Sequence, residues 1–474
     1  MENRFFITTS IAYANAAPHI GFVLELLQAD VLARYARQKG LRVFFQTGTD
    51  EHGSKIARAA EAAGVSPQKF VDQNAKKFQE LKNAFNISWN AFVRTTDREK
   101  HWPIVEEIWK KLEKSGDLYK KSYEGLYCVG HEAFITEKDL VDGKCPDHQT
   151  KPELISEENW HFRLSKYTEV LKKKIKNDEL KIVPETRKNE ILALLQRGLE
   201  DVSFSRPAKA LSWGVPVPGD DSHTIYVWAD ALVNYLDNKE WWPASVQIIG
   251  KDISRFHAAI WPAMLISAGL PLPKTLLVHG FITVGGQKIS KSVGNVINPF
   301  ELLAKYGSEA ARYYLLREIP TTEDGDFTYE KFEARYNGDL ANGLGNFAAR
   351  VLTLGQNLSL ASGDAEKLID PAVDEKIKEA KKEIAAKLET FKINEALGIL
   401  WELIGFGDKY VNDNEPWKTK DKKVIFNAVV ILDNIAFLLE LFLPETAKKI
   451  KENITWKSDN TLEVKKSQPL FPRI

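Results

Sequence analysis

The stretch from Arg4 to Lys39 constrains the fold more than any other. Arg4-Phe5-Phe6-Ile7-Thr8 is a short apolar run of the kind that enters a sheet. From Gly21 to Lys39, apolar residues fall at Val23, Leu26, Leu27, Val31, Leu32 and Tyr35, the spacing of a helix buried along one face. The intervening Thr8 to Phe22 holds Asn15-Ala-Ala-Pro-His-Ile-Gly21, so the unit reads as strand, turn, helix. In a doubly wound parallel sheet such a turn lies at the carboxyl edge, where a helix N-terminus offers unpaired N–H groups to a phosphate. His19 adds a donor at the helix mouth, and Gly21 leaves room for the backbone to approach a flat base or sugar. An ordinary turn with a solvent histidine would use the same few residues.

A second stretch narrows the choice. Val278 to Asn295 carries a β-branched run, a Gly285-Gly286 turn, and then Lys288 and Lys291 among two serines. Lysines on a glycine-hinged loop can bring point charges onto a polyphosphate, although a solvated basic loop has the same composition.

With 474 residues the chain is too long for one core and suggests about three domains. Its 44% hydrophobic and 27% charged residues are those of a soluble globular protein. Lys+Arg and Asp+Glu both count 65, so no global field draws the chain to nucleic acid and any RNA contact must use local patches. The most apolar late stretch, Phe426 to Leu443, is interrupted by Asn427, Asp433, Asn434 and Glu440, which reads as a bundle helix and not a membrane span. Two cysteines exclude a disulfide-stapled scaffold and make the cytoplasm the expected compartment.

Further along, Val43 to Thr47 reads as a buried strand ending in Gly48-Thr49-Asp50-Glu51-His52-Gly53. That puts Asp50 at a carboxyl strand edge, where a carboxylate can hold an ammonium, or simply cap a turn. Helical patterns fill Gly53 to Trp109, with a start at Ser66-Pro67. Tyr119 to Trp160 reads as turn-rich and carries Cys128-x-x-His131 and Cys145-x-x-His148. Two thiolates and two imidazoles at this spacing suit a closed tetrahedral structural zinc site; inert buried cysteines beside surface histidines are the alternative. Beyond Phe300 the chain reads as helical, with breaks at Gly307, Gly325 and Gly338. Asn346 and Arg350 lie one turn apart on one face, and Trp417 follows Pro416. By residue physics alone these three are a solvated helix face and a helix-start plug.

His19-Ile-Gly21 and Lys288-Ile-Ser-Lys-Ser292 resemble the two signatures of class I aminoacyl-tRNA synthetases. Tyr13-Ala-Asn-Ala-Ala-Pro-His-Ile-Gly21, Thr47 to Gly53 and Tyr226-Val-Trp-Ala-Asp-Ala231 are similar to the methionyl-tRNA synthetase family, over about Arg4 to Trp417. Phe22 stands where the first signature has a second histidine, and Ile289 where the second has a methionine. The resemblance implies a ligase that activates methionine with ATP and Mg²⁺ and transfers it to tRNA(Met), with no membrane and a monomeric chain; the alternatives are a catalytically impaired tRNA-binding relative, which Phe22 alone supports, and another nucleotidyl transferase of the same superfold. It implies His19, Lys288 and Lys291 as catalytic groups, and Asn15, His19, Gly21, Lys251, His279, Ile282 and Lys291 as ATP contacts. It gives Asp50 the α-amino group, and Ile11, Tyr13, Trp228, Ala231, Tyr235, Ile253 and His257 the rest of the methionine pocket. Aromatic faces suit a thioether, and a histidine N–H could reach the sulfur. The resemblance also turns Asn346, Arg350 and Trp417 into anticodon readers, and supports zinc on Cys128, His131, Cys145 and His148. The expected fold is α/β: a Rossmann-type parallel-sheet catalytic domain (1–115 and 216–270) interrupted by a small zinc-knuckle insert (116–215). A signature-loop and stem-contact region (271–335) and an all-α anticodon-binding bundle (336–474) follow.

Overall fold

A computed structural model describes residues 3–474 except 131–132, 148, 290–293, 357, 359–367, 457–461 and 467; side chains at 123, 133, 134, 138 and 288 are outside that description. The chain divides into two compact units. The first comprises Met1–Pro18, Leu41–Leu81 and Trp89–His279, the second His19–Gly40, Lys82–Ser88 and Gly280–Ile474.

The first unit is built on one parallel sheet. Among the described residues its strand order is Ala12–Tyr13, Arg42–Asp50, Arg4–Thr9, Val246–Gly250, Thr275–His279 and Lys181–Val183, with Ala91–Arg94 also paired to Arg42–Asp50. Register is set by Phe6 against Phe44, Ile7 against Val246 and Gly250 against His279. Val246–Gly250 is buried at every position, as a strand covered on both faces must be. Because all these strands run the same way, their carboxyl ends share one edge.

Lys181–Val183 lies inside the stretch expected to be wholly insert, yet it pairs with Thr275–Leu277 at the sheet margin. The span from Tyr119 to Trp160, expected as turn-rich, is instead mostly a long antiparallel ladder, Leu118–Cys128 against Glu153–Phe162. Its middle is largely exposed, Tyr127 and Cys128 are buried at the outer end, and the inner end is buried where Phe162 stacks on Phe204 at 4.9 Å.

The second unit is mainly helical. Helices Ile20–Gln38, Ser308–Glu318, Pro371–Glu389, Ile393–Asn414 and Lys422–Leu439 supply most of it. Gly307, at φ 81°, separates Pro299–Tyr306 from Ser308–Glu318 as expected. Gly325 instead opens a three-residue strand paired with Ile282–Val284, and Gly338 lies inside the wide helical segment Tyr336–Gly345. Burial of Leu340 and Leu344 outweighs the roughly 1 kcal/mol that a glycine costs in a helix interior. In Lys422–Leu439 the polar interruptions are satisfied locally, Asn427 and Asn434 donating to the carbonyls of Lys423 and Val430 at 2.8 Å each. No helix among the described residues is long and apolar enough to cross a membrane.

A fully buried ion pair ties this unit together. Asp30 accepts from Arg312 and Arg34 at 2.8 Å each, and from the Ser88 backbone at 2.8 Å. Arg312 also donates to the carbonyls of Phe85 at 2.9 Å and Phe442 at 2.7 Å. Burial pushes the Asp30 carboxyl up, but Arg312 and Arg34 outweigh it and hold it below the usual range.

Candidate active site

In the first unit the Asp50 strand ends in a locked turn. Ala12 and Tyr13 pair with Thr49 and Asp50, which sets the short strand carrying Tyr13 alongside the strand that ends in Asp50. Gly48 is required here, since a Cβ would lie 2.2 Å from the Val93 carbonyl oxygen and 3.0 Å from Ile11 Cγ2. Asp50 is 8% exposed. Its neighbour Glu51 takes a two-pronged bond from Arg94 (2.7 and 2.8 Å), and Thr49 and Thr96 donate to it as well. Trp213 Nε1 donates to the Glu51 carbonyl at 2.6 Å, and the Tyr13 hydroxyl to that of His52 at 3.0 Å. The His52 N–H approaches Asp50 Oδ1 only at 3.5 Å, a weak turn cap.

Of the residues expected to line the methionine pocket, Trp228, Tyr235, Ile253 and His257 lie together in one cluster. Trp228, on helix Val227–Ala231, stacks on Phe256 with centroids 3.8 Å apart and planes at 8°, and meets His257 edge-on at 6.3 Å. Ala231 closes the same helix and is 4% exposed. His257 Nδ1 lies 3.1 Å from the Ile253 carbonyl and Nε2 lies 2.7 Å from the Tyr235 hydroxyl. A carbonyl can only accept, so Nδ1 carries the proton and Nε2 accepts from Tyr235. Burial pushes the His257 pKa down to about 4, so the ring is neutral. The expectation of a histidine N–H aimed at sulfur is therefore not met: that proton is spent on Ile253.

At the carboxyl edge of the same sheet, Lys251 begins the turn after Val246–Gly250, His279 ends the adjacent strand, and Asn15 occupies the turn after Ala12–Tyr13. His279 Nε2 lies 3.8 Å from where a Gly250 Cβ would stand.

In the second unit His19 caps helix Ile20–Gln38, its Nδ1 accepting from Gly21 N at 3.1 Å. A Cβ on Gly21 would lie 2.9 Å from His19 Cε1, so here Gly21 makes room for the histidine ring itself. With Nδ1 accepting, a neutral ring carries its proton on Nε2. Ile282 is buried in the strand Ile282–Val284, and the backbone of Lys288 pairs with Thr283 across the Gly285-Gly286 turn. The Lys288 side chain and all of Lys291 lie outside the described residues.

Elsewhere in that unit Arg350 and Trp417 come together, the guanidinium 5.7 Å from the ring centroid. Asn346 is exposed one turn before Arg350. Arg350 is held by Asn412 Oδ1 at 2.9 Å and Asp408 Oδ1 at 3.1 Å, both on helix Ile393–Asn414. Their four-residue spacing was the available sequence signal.

Cys128 and Cys145 are buried, each 1% exposed. Cys145 opens a turn closed by its N–H to the Thr150 carbonyl at 2.9 Å. His131 and His148 lie outside the described residues, among which no three metal-binding side chains cluster.

Sequence reading missed a buried chain of four side chains in the first unit. His52 Nδ1 lies 2.6 Å from Asp230 Oδ2, His101 Nε2 lies 2.8 Å from Asp230 Oδ1, and His101 Nδ1 lies 2.9 Å from Asp237 Oδ1. The signal was a carboxylate inside the apolar run Tyr226 to Leu232, which must find partners when buried.

A family model described as tRNA synthetases class I (M) matches residues 5–152 and 147–352. The methionine--tRNA ligase of Thermotoga maritima is 40% identical over 484 residues, covering 97% of this chain and 76% of that protein. This chain belongs to the class I methionyl-tRNA synthetases. Within that synthetase family the methionine--tRNA ligase of Brucella suis biovar 1 is 37% identical and covers 100% of this chain and 98% of its own. The solved methionyl-tRNA synthetase of Mycobacterium tuberculosis in complex with methionyl-adenylate matches with a TM-score of 0.91 at 35% identity, over 100% of both chains.

Proposed function

We propose that this chain activates methionine with ATP and transfers it to tRNA(Met), initiator and elongator alike. The observation that carries the reading is one aromatic pocket, Trp228 on Phe256 beside Tyr235 and a neutral His257, in a chain whose relatives are named methionine--tRNA ligases.

Asp50 takes the ammonium group through a charge-assisted bond. The thioether lies against Trp228 and Tyr235, with Ile11, Tyr13, Ala231, Ile253 and His257 completing the wall, where dispersion and sulfur–aromatic contact do the selecting. A neutral His257 keeps the wall free of charge. One carboxylate oxygen of methionine attacks the α-phosphorus of ATP, a P–O bond forms, and the bond to the bridging oxygen breaks to release pyrophosphate. Asn15, Gly21, Lys251, His279 and Ile282 hold the nucleotide. His19, Lys288, Lys291 and the Mg²⁺ that accompanies ATP meet the charge on the phosphates. Catalysis then rests on positioning and electrostatics, with no protein nucleophile. In the second step a 3′-terminal ribose hydroxyl attacks the activated carbonyl, and AMP departs. Asn346, Arg350 and Trp417 read the anticodon, Trp417 by stacking on an unpaired base.

We further assign 1–115 and 216–270 to catalysis, 116–215 to the insert apart from the sheet strand Lys181–Val183, 271–335 to the signature loop and stem contact, and 336–474 to anticodon binding. Cys128, His131, Cys145 and His148 would hold a structural zinc, which supplies a cross-link and no chemistry. In support, Cys145 is buried within a stretch, 137–153, whose other described residues are half-buried or exposed, so nothing else there makes a core. Metal analysis is expected to find zinc on the purified chain and none after exchange of Cys128 for Ser. The reading as a whole is tested by charging: methionine attached to tRNA(Met) but to no other tRNA supports it, and attachment of a different amino acid overturns it.

A further inference from the structure

The buried chain His52, Asp230, His101 and Asp237 has no part in the chemistry just described, yet it lies under both ends of the methionine pocket. Side-chain exposures are 3% for His52, 1% for Asp230, 0% for His101 and 6% for Asp237. Burying four ionisable groups is costly unless each is paired, so a chain of this kind is kept for something.

Its geometry says what it joins. His52 is a hub on the Asp50 turn: its N–H faces Asp50 Oδ1 at 3.5 Å, and its carbonyl accepts from the Tyr13 hydroxyl at 3.0 Å. Its ring packs edge-on against Trp102 (5.9 Å) and Trp213 (5.6 Å) and bonds Asp230. Asp230 sits on helix Val227–Ala231, between Trp228 and Ala231. The turn that presents the ammonium-binding carboxylate and the helix that presents the thioether wall are thus fastened through one carboxylate. His101, the first residue of helix His101–Lys114, fixes that carboxylate from behind and is itself fixed by Asp237.

We propose that the His52–Asp230–His101–Asp237 chain is a positioning device for methionine, setting the span between Asp50 and the Trp228–Ala231 wall. The inference rests on the methionine reading given above and adds residues that touch no substrate. His101 and Asp230 also hold each other in their charged forms. Both ring nitrogens of His101 face carboxylate oxygens, which suits only an imidazolium. Burial alone would lower its pKa, but Asp230 and Asp237 raise it to about 10. Burial raises Asp230, and His52 and His101 bring it down to about 2. Burial raises Asp237, His101 opposes, and Asp230 and Asp97 add to the rise. These are the ionisable groups that face His101, and none of the shifts cited here brings a titration close to neutral pH.

The test is methionine-dependent exchange of pyrophosphate into ATP. Wild-type exchange establishes the underlying reading; its absence would sink that reading, not the positioning role alone. His52→Phe keeps the ring packing and removes the bond. It is expected to raise the KM for methionine by about tenfold or more, the effect of one lost charge-assisted bond, with the KM for ATP within about twofold. His52→Asn retains a donor near the Nδ1 position and should recover most of the loss. Asp230→Asn cannot accept from both histidines and should move the same constant in the same direction, which covers a misfolded His52 variant. A methionine KM unchanged in a folded His52→Phe, methionine and ATP constants rising together, or no recovery in His52→Asn would each overturn the proposal.

Discussion

Each unit buries a charged network, and the two have opposite polarity. In the first unit one cation, His101, lies between the carboxylates of Asp230 and Asp237. In the second unit one carboxylate, Asp30, lies between the guanidinium groups of Arg34 and Arg312. The Asp30 network is built for permanence. Arginine does not deprotonate, and its fork lets Arg312 bind two backbone carbonyls as well as the carboxylate, so one side chain fixes three segments. The His101 network uses groups that can lose or gain protons and reaches the turn that carries Asp50. The contrast separates a staple, whose worth lies in holding the fold, from a positioning device, whose worth is measured at a ligand.

The comparison breaks most visibly at the staple. Arg312→Leu leaves Asp30 and two carbonyls without their main partner, and is expected to cost about 3–5 kcal/mol of stability by urea unfolding while leaving the KM for methionine of the folded fraction unchanged. Next in size is a functional division between the units. Trp417→Ala should weaken tRNA charging by about 2 kcal/mol, some thirtyfold in kcat/KM for tRNA, and leave pyrophosphate exchange intact; equal loss of both would erase the division.

The smallest effect per step is in pH, and the two networks predict opposite signs. His101 has a raised folded pKa, so its stabilisation is complete below the unfolded value of about 6.5 and is lost as pH climbs towards about 10. Asp30 has a lowered one, so its stabilisation is complete above the ordinary carboxylate range and fades as pH falls below 3.8. The alkaline slope is at most about 1.4 kcal/mol per pH unit for one proton, and His101→Asn should flatten it without altering the acid limb. If both limbs flatten together, the networks are not independent.

Much of this was legible in residue order. The strand, turn and helix from Arg4 to Gln38 stood out because a period-free apolar run gives way to helical spacing, and Trp228, Tyr235, Ile253 and His257, named together from the sequence, lie side by side. What escaped was either too short or too distant. Lys181–Val183 has three residues, too few to show a period. The Leu118–Cys128 ladder mixes charged residues, a glycine and scattered apolar residues, so no clean alternation marked it. His101 and Asp230 are 129 residues apart, and Asp30 and Arg312 are 282 apart. No local pattern reports such pairs; only the rule that a buried charge needs a partner hints at them. His257 shows a further limit: its identity was legible, but the direction of its proton depended on the Ile253 carbonyl.

Pyrophosphate exchange into ATP, run on the wild-type chain with each of the twenty amino acids, tests the central claim most directly. Exchange with methionine and no other is the predicted result; it would establish activation and the pocket together, and show that Phe22 is compatible with activity. Exchange driven by a different amino acid, or none with any of them from folded and zinc-replete protein, would contradict the account.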